Sequence, residues 1–159
     1  MKAVKYLFMD VDGTLTDGKV YIGNDGEVMK AFSIKDGCGI REILMRAGIT
    51  PAIITGRRSR IVENRCAELG ITEIYQGEHD KVSRLLAILE QASVTLAQAA
   101  YVGDDLNDLA CMKLIRQSGG IVGCPADAVK EVRETANYVC AAKGGDGAVR
   151  EFIEWLVRD

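Results

Sequence analysis

The sequence is short of the residues that would place it in several functional classes. It has one histidine, His79, one tryptophan, Trp155, and no clustered cysteines. Cys38, Cys66, Cys111, Cys124 and Cys140 are odd in number and far apart, with neither Cys-x-x-Cys nor zinc-like spacing. That argues against a disulfide framework or a structural zinc, and reads as reduced thiols acting as small hydrophobes in the cytoplasm. No apolar run approaches the ~18 residues of a membrane span, and Tyr6-Leu-Phe-Met9 stops at Asp10, too soon for a secretory signal. No membrane partner and a cytoplasmic location are therefore expected. There is no surplus of basic charge either: 20 Lys and Arg face 23 Asp and Glu, a net −3, which argues against a nucleic-acid partner. Internal repeats, low-complexity tracts and linkers are lacking. The 159 residues suit one domain over 1–159 with a core of its own and no space for a second.

What is present is an alternation of strand and helix. Val4–Met9 reads as a buried strand ending at an acidic, Gly-containing turn. Lys19–Gly23 and Glu27–Phe32, joined by Asn24-Asp-Gly26, read as a hairpin flap over about 18–33. A helix capped by Asp36 is expected to run to about Ala47, then a strand over Pro51–Thr55, a helix over Ser59–Leu69 and a short strand over Ile71–Gln76. The spacing predicts a helix over Asp80–Gln91, with Val82, Leu85, Leu86 and Leu89 on one face. Ala99–Gly103, Gly119–Gly123 and Tyr138–Cys140 read as strands; Leu106–Arg116 and Ala126–Glu134 read as helices. A Gly-rich tail and a helix fill about 143–158. The fold class is α/β, a Rossmann-like parallel sheet with helices on both faces.

Ligands in such sheets bind beyond the carboxyl ends of the strands. Asp10-Val-Asp12-Gly-Thr14, Thr55-Gly-Arg57, Gly77-Glu-His-Asp-Lys81 and Gly103-Asp-Asp-Leu-Asn-Asp108 all fall there. Asp10, Asp12 and Asp104 make a hard-oxygen set suited to Mg²⁺. A carboxylate beside that ion can attack phosphorus, and Asp12, two residues on, can protonate a leaving alkoxide and later deprotonate water. Thr55, the Gly56 amide and Lys81 are the kinds of group that steady a transferring phosphoryl. Taken singly, Lys81 reads as a solvated residue opening a helix, and Asp105 and Asp108 as helix-capping acids. His79 reads as exposed, Arg58 and Arg60 as solvated, and Met112 and Trp155 as core.

In this order the four segments resemble the motifs of the haloacid dehalogenase-like phosphohydrolases. The resemblance implies Asp10 as nucleophile, Asp12 as acid and base, and Thr55 and Lys81 as phosphate ligands. It implies Mg²⁺ held by Asp10, the Asp12 main-chain carbonyl and Asp104, with Asp105 and Asp108 in support. The 43 positions from Asp12 to Thr55 and the 26 from Thr55 to Lys81 leave no space for the cap domain that many members insert. A non-catalytic aspartyl-phosphate receiver would also carry an acidic pocket, a Thr and a Lys. It would lack an acid beside its acceptor, because it must keep its phosphoryl group.

A closer resemblance runs nearly the whole length, through Leu15-Thr-Asp-Gly18, Tyr21-Ile-Gly-Asn24, Lys30-Ala-Phe32, Lys35-Asp-Gly37, Ile53-Ile-Thr-Gly-Arg57, Tyr75-Gln-Gly77 and Gly144–Glu151. It is to the 3-deoxy-D-manno-octulosonate 8-phosphate phosphatase family, of the lipopolysaccharide pathway. That implies a homotetramer in which hairpins meet and each subunit covers its neighbour's site. Asp146 departs from the basic residue of some relatives. A sister clade acting on nine-carbon sugar acid phosphates tends to carry Glu where this chain has Arg57, so Arg57 favours the eight-carbon substrate. A sugar carboxylate asks for a cation away from the phosphate, and Arg57 and Arg65 suit bidentate pairing. The resemblance adds Ser33, Ile34, Lys35, Asp36, Gly37, Arg41 and Asn107 as substrate contacts, some from a neighbouring copy.

Overall fold

The computed structural model describes residues 3–158. Six parallel strands lie in the order β5-β4-β1-β6-β7-β8, with β1 (Tyr6–Met9) at the centre between β4 (Thr50–Ile54) and β6 (Ala99–Val102). From β1 the chain first builds outward through β4 to β5 (Glu73–Tyr75). It then returns to the other side for β6, β7 (Ile121–Cys124) and β8 (Tyr138–Val139). This reversal opens a crevice beyond the carboxyl end of β1. A separate antiparallel pair, β2 (Tyr21–Gly23) and β3 (Gly26–Met29), forms the hairpin after β1, with Gly26 at φ +107° in its turn.

Alternation along the strands sorts the core into two layers. Leu7, Met9, Ile53 and Val102 face α2 (Arg60–Leu69) and α6 (Ala148–Leu156), while Phe8, Ala52, Ile54 and Tyr101 face α3 (Lys81–Gln91) and α4 (Leu106–Gln117). With both faces covered, the strands read as continuous apolar runs. Ser59 caps α2 and Gly70 ends it at φ +76°; Asp80 caps α3.

Two helix starts differ from expectation. The first helix, α1 (Ile34–Cys38), is capped by Ser33, whose hydroxyl accepts from the Asp36 N–H, and it continues as a π-helical turn over Gly39–Leu44. Asp36 is instead buried and accepts the Arg150 N–H at 2.9 Å, so it ties α1 to α6. Gly39 allows that approach, since a Cβ there would lie 2.8 Å from Arg150 Cδ. The helix α5 (Lys130–Thr135) begins later than Ala126. The Ala126 N–H is spent on the Ala142 carbonyl, and the cap residue Val129 donates to the Asp104 carbonyl. Long-range partners outbid local helix there.

The Gly-rich segment before α6 packs behind the loop that follows β1. Gly145 N–H donates to the Thr14 carbonyl at 3.1 Å, and a Cβ on Gly144 would lie 2.0 Å from the Gly13 carbonyl oxygen. No side chain fits at Gly144.

Candidate active site

The loop after β1 is wound tightly on itself. The Thr14, Leu15 and Thr16 N–H groups all point at the Val11 carbonyl, and the Thr16 hydroxyl accepts from Gly13 and Gly18. Asp10 keeps its N–H on the Val102 carbonyl of β6, so its side chain leaves the sheet at a fixed angle. Gly13 sits at φ +91°, where a Cβ would fall 1.9 Å from Asp104 Oδ2; glycine is required there both for backbone conformation and for space.

Asp10 is 4% exposed and accepts from Lys81 Nζ at 3.0 Å. The same ammonium donates to Asp108 at 2.9 Å, and Asp108, fully buried, also accepts from the Tyr101 hydroxyl at 2.7 Å and the Asp104 N–H at 3.0 Å. Lys81 is thus itself 4% exposed, the opposite of a solvated helix-opening lysine, because two buried carboxylates draw it inward. Burial alone would lower its pKa, but Asp10 and Asp108 raise it above the ordinary value, so it stays charged. Asp104 accepts from the Thr14 hydroxyl at 2.9 Å. Asp105 lies exposed and caps α4.

Carboxylate oxygens of Asp10, Asp104 and Asp108 lie within 4.8 Å of one another, against the single ammonium of Lys81. Burial, then Asp10 and Asp108, pushes the Asp104 carboxyl up to about 8; burial and Asp108 raise Asp10 as well, in spite of Lys81. An all-oxygen site with this excess of negative charge fits a hard divalent cation, and Mg²⁺ is the cofactor it suits. Asp108 is already engaged by four donors, the Asp105 N–H among them, which leaves Asp10 and Asp104 as the side chains turned to the cleft.

A pH prediction follows from Asp104. Its folded value of about 8 exceeds the ordinary 3.8, so the folded metal-free protein keeps a proton that the unfolded chain has lost. That contribution to stability is complete below pH 3.8 and is lost as pH rises through about 8, and Asp10 acts in the same direction. Metal-free protein should melt at progressively lower temperature from pH 5 to 8. Added Mg²⁺ should offset most of that fall, because it binds the ionised site. Thermal melts with and without chelator check both.

The cleft above these groups encloses about 400 Å³ and is lined by Asp10, Asp12, Gly18, Thr55, Gly56, Arg57 and Asp104–Asn107. Thr55 is buried at its floor, fixed by its N–H on the Tyr75 carbonyl. Asp12 pairs with Lys30 Nζ at 2.5 Å. Arg57 is half-exposed, 3.8 Å from Glu27. The other expected substrate contacts fall elsewhere in the same chain. Ser33, Asp36, Gly37 and Arg65 line a small enclosed cavity, and Ile34, Gly37, Arg41 and Arg65 an outer groove. Lys35 is exposed. Arg65 packs over the Phe32 ring and bonds Glu68, so its guanidinium is not in the Asp10 cleft. His79 is exposed and Met112 fully buried, as expected. Lys30 is the site residue that the sequence reading left without a role.

Residues 65–153 match the haloacid dehalogenase-like hydrolase family. The 3-deoxy-D-manno-octulosonate 8-phosphate phosphatase KdsC of Escherichia coli K12 is 44% identical over 97% of this chain and 79% of its own length. This chain is a haloacid dehalogenase-like hydrolase. Among solved structures, the hydrolase superposes on the 3-deoxy-D-manno-octulosonate 8-phosphate phosphatase of Yersinia pestis with a TM-score of 0.90, at 42% identity over 97% of this chain and 80% of that one. It matches the Moraxella catarrhalis phosphatase, crystallised with magnesium, phosphate and KDO, with a TM-score of 0.90 at 38% identity over 97% and 86% of the two chains. Among its described residues the hydrolase has a six-stranded parallel sheet and no separate cap domain.

Proposed function

We propose that the chain is a Mg²⁺-dependent phosphatase that hydrolyses 3-deoxy-D-manno-octulosonate 8-phosphate to the free sugar acid and phosphate, supplying a lipopolysaccharide precursor. The observation that carries this is a buried Asp10 held by Lys81 beside Asp104 at the end of β1, in a chain 44% identical over 97% of its length to a phosphatase of that name.

In this reading Asp10 attacks phosphorus. A bond forms from its carboxylate oxygen to phosphorus, the bond to the sugar oxygen breaks, and Asp12 gives that oxygen a proton. Water then attacks the aspartyl phosphate, Asp12 takes its proton, and phosphate departs with Asp10 restored. The Lys81 ammonium, the Thr55 hydroxyl and the Gly56 amide face the phosphoryl oxygens. Asp10, Asp104 and the Asp12 carbonyl would hold Mg²⁺, which when bound would supply positive charge to offset that of the phosphoryl group. Asp108 orients Lys81 and the Asp104 backbone. Arg57 on the rim of the cleft, and Asn107 opposite, face the sugar acid. Five free thiols support a reducing, cytoplasmic setting.

The cleft is open, and Ser33, Lys35, Arg41 and Arg65 lie away from it in their own chain. This supports a homotetramer joined through the apolar hairpin, where Ile22 and Val28 are each 63% exposed, with those residues serving a neighbouring copy's site. The test is phosphate release from eight-carbon and nine-carbon sugar acid phosphates and unrelated sugar phosphates, with and without chelator, alongside sizing. An eight-carbon preference of at least ~10-fold in kcat/KM, lost on chelation, is expected; that ratio is about 1.4 kcal/mol of discrimination. Preference for the nine-carbon substrate overturns the substrate, undiminished turnover after chelation overturns the metal, and a selective monomer overturns the neighbour's part.

A further inference from the structure

Lys30 follows β3 on the hairpin, yet its side chain is only 1% exposed. Its ammonium lies between two carboxylates, 2.5 Å from Asp12 Oδ1 and 3.1 Å from Glu27 Oε2. Asp12 and Glu27 are themselves mostly buried, at 19% and 14% exposure of their side chains. Glu27 is anchored in turn to the segment after β4. The Ser59 hydroxyl donates to its Oε1, and Arg57 Nη2 stands 3.8 Å from its Oε2. Burial alone would raise the Glu27 pKa, but Ser59, Lys30 and Arg57 together hold it below the usual range, so it is a settled anion.

We propose that Lys30 is a positioning residue for Asp12, and that Glu27 fixes Lys30 by tying the hairpin to Ser59 and Arg57. The proposal rests on the reading of Asp12 as the acid and base. The physical reason lies in how Asp12 is otherwise held. It belongs to a loop whose backbone is fixed by the Val11 carbonyl, but among the described residues the contact recorded for its carboxylate is Lys30. A carboxylate that must meet the leaving oxygen and later a water needs one orientation, and a misplacement of about 1 Å can cost ~10²-fold in rate. A buried ammonium restrains one carboxylate oxygen and leaves the other free for the reaction. Without Lys30, the Asp12 carboxyl loses the contact that orients it, and Glu27 loses the cation that ties the hairpin to it, so Asp12 is free to turn away. The hairpin is then part of the catalytic geometry as well as an apolar surface.

The experiment compares wild type, Lys30→Met, Lys30→Arg and the double variant Glu27→Gln/Lys30→Met in saturating Mg²⁺. Steady-state rates are measured on the sugar phosphate, and the first-turnover burst of nitrophenol on p-nitrophenyl phosphate. Lys30→Met should lower kcat about 10- to 100-fold while KM changes less than about threefold, part of the ~10²–10⁴ that an acid–base group supplies. The burst rate should fall far less, because nitrophenolate leaves without a proton. Lys30→Arg should recover several-fold of the lost kcat. The double variant removes one anion along with the cation, so it keeps the pocket's charge balanced and folds even if the single variant does not; it should remain as slow. A KM rise with kcat spared makes Lys30 a substrate contact and overturns the proposal, as does wild-type kcat in either Met variant. Equal losses in the burst and on the sugar phosphate would mean that Lys30 serves the fold of the whole site, which also overturns it. Wild-type protein that fails to release phosphate from the sugar substrate but shows the nitrophenol pattern overturns the substrate reading and leaves the positioning role standing.

Discussion

Asp10→Asn should abolish turnover while leaving a folded protein. The amide has the carboxylate's shape but is too weak a nucleophile to displace the sugar oxygen, so kcat should fall by at least ~10⁴-fold, the scale seen when a covalent nucleophile is removed. The stability change should run the other way in metal-free protein. Burial and the nearby Asp108 already work against a charge at Asp10, so a neutral Asn relieves repulsion and the metal-free melting temperature at pH 8 should hold or rise. The Mg²⁺-induced rise in melting temperature should shrink, because one ligand carries no charge. Phosphate release and paired melts measure all three. An Asp10→Asn protein with substantial turnover would remove Asp10 from the chemistry.

Lys81→Met should be the most damaging change to stability. It leaves Asp10 and Asp108 buried with no ammonium between them, and breaking a buried pair in this way costs about 3–5 kcal/mol. In a domain of this size that is a drop on the order of 10 °C. The deficit should widen as pH rises, since more of the two stranded carboxylates must then be ionised, and Mg²⁺ should recover part of it by supplying another positive charge. Activity should fall by about 10²–10³-fold at saturating metal, as expected for one lost donor to the phosphoryl oxygens. A wild-type melting temperature across pH 5 to 8 would show that the ammonium does not organise the site.

The strand ends carrying Asp10, Thr55 and Asp104 were legible because short β-rich runs stop at Gly and Asp. The parallel order then puts them on one edge. Helix ends with local signals were legible too, as at Ser59 with Gly70 and at Asp80. The misreadings share a different physics. Asp36 has the chemistry of a cap, but its carboxylate is claimed by α6, far along the chain. Val129 rather than Ala126 precedes α5 because Ala142 and Asp104 take the intervening backbone groups. A lysine opening a helix looks solvated until carboxylates from the loop after β1 and from α4 enclose it, as Asp10 and Asp108 enclose Lys81. Lys30 gave no local sign, since its partner Asp12 lies on the far side of the hairpin turn.

The seating of Gly144 and Gly145 against Gly13 and Thr14 bears on the order in which the molecule assembles. Asp10 precedes in the chain every residue that backs it. Its strand is central, so it gains one neighbour with β4 and the other only with β6. The loop that aims its carboxylate gains its backing later still, when the glycine pair arrives. Contacts so distant in sequence slow folding, because loop closure must precede any gain from them. During synthesis the acidic loop should therefore wait, incomplete, until nearly all of the sheet is in place. The phosphatase becomes competent as one of the last events of its own folding.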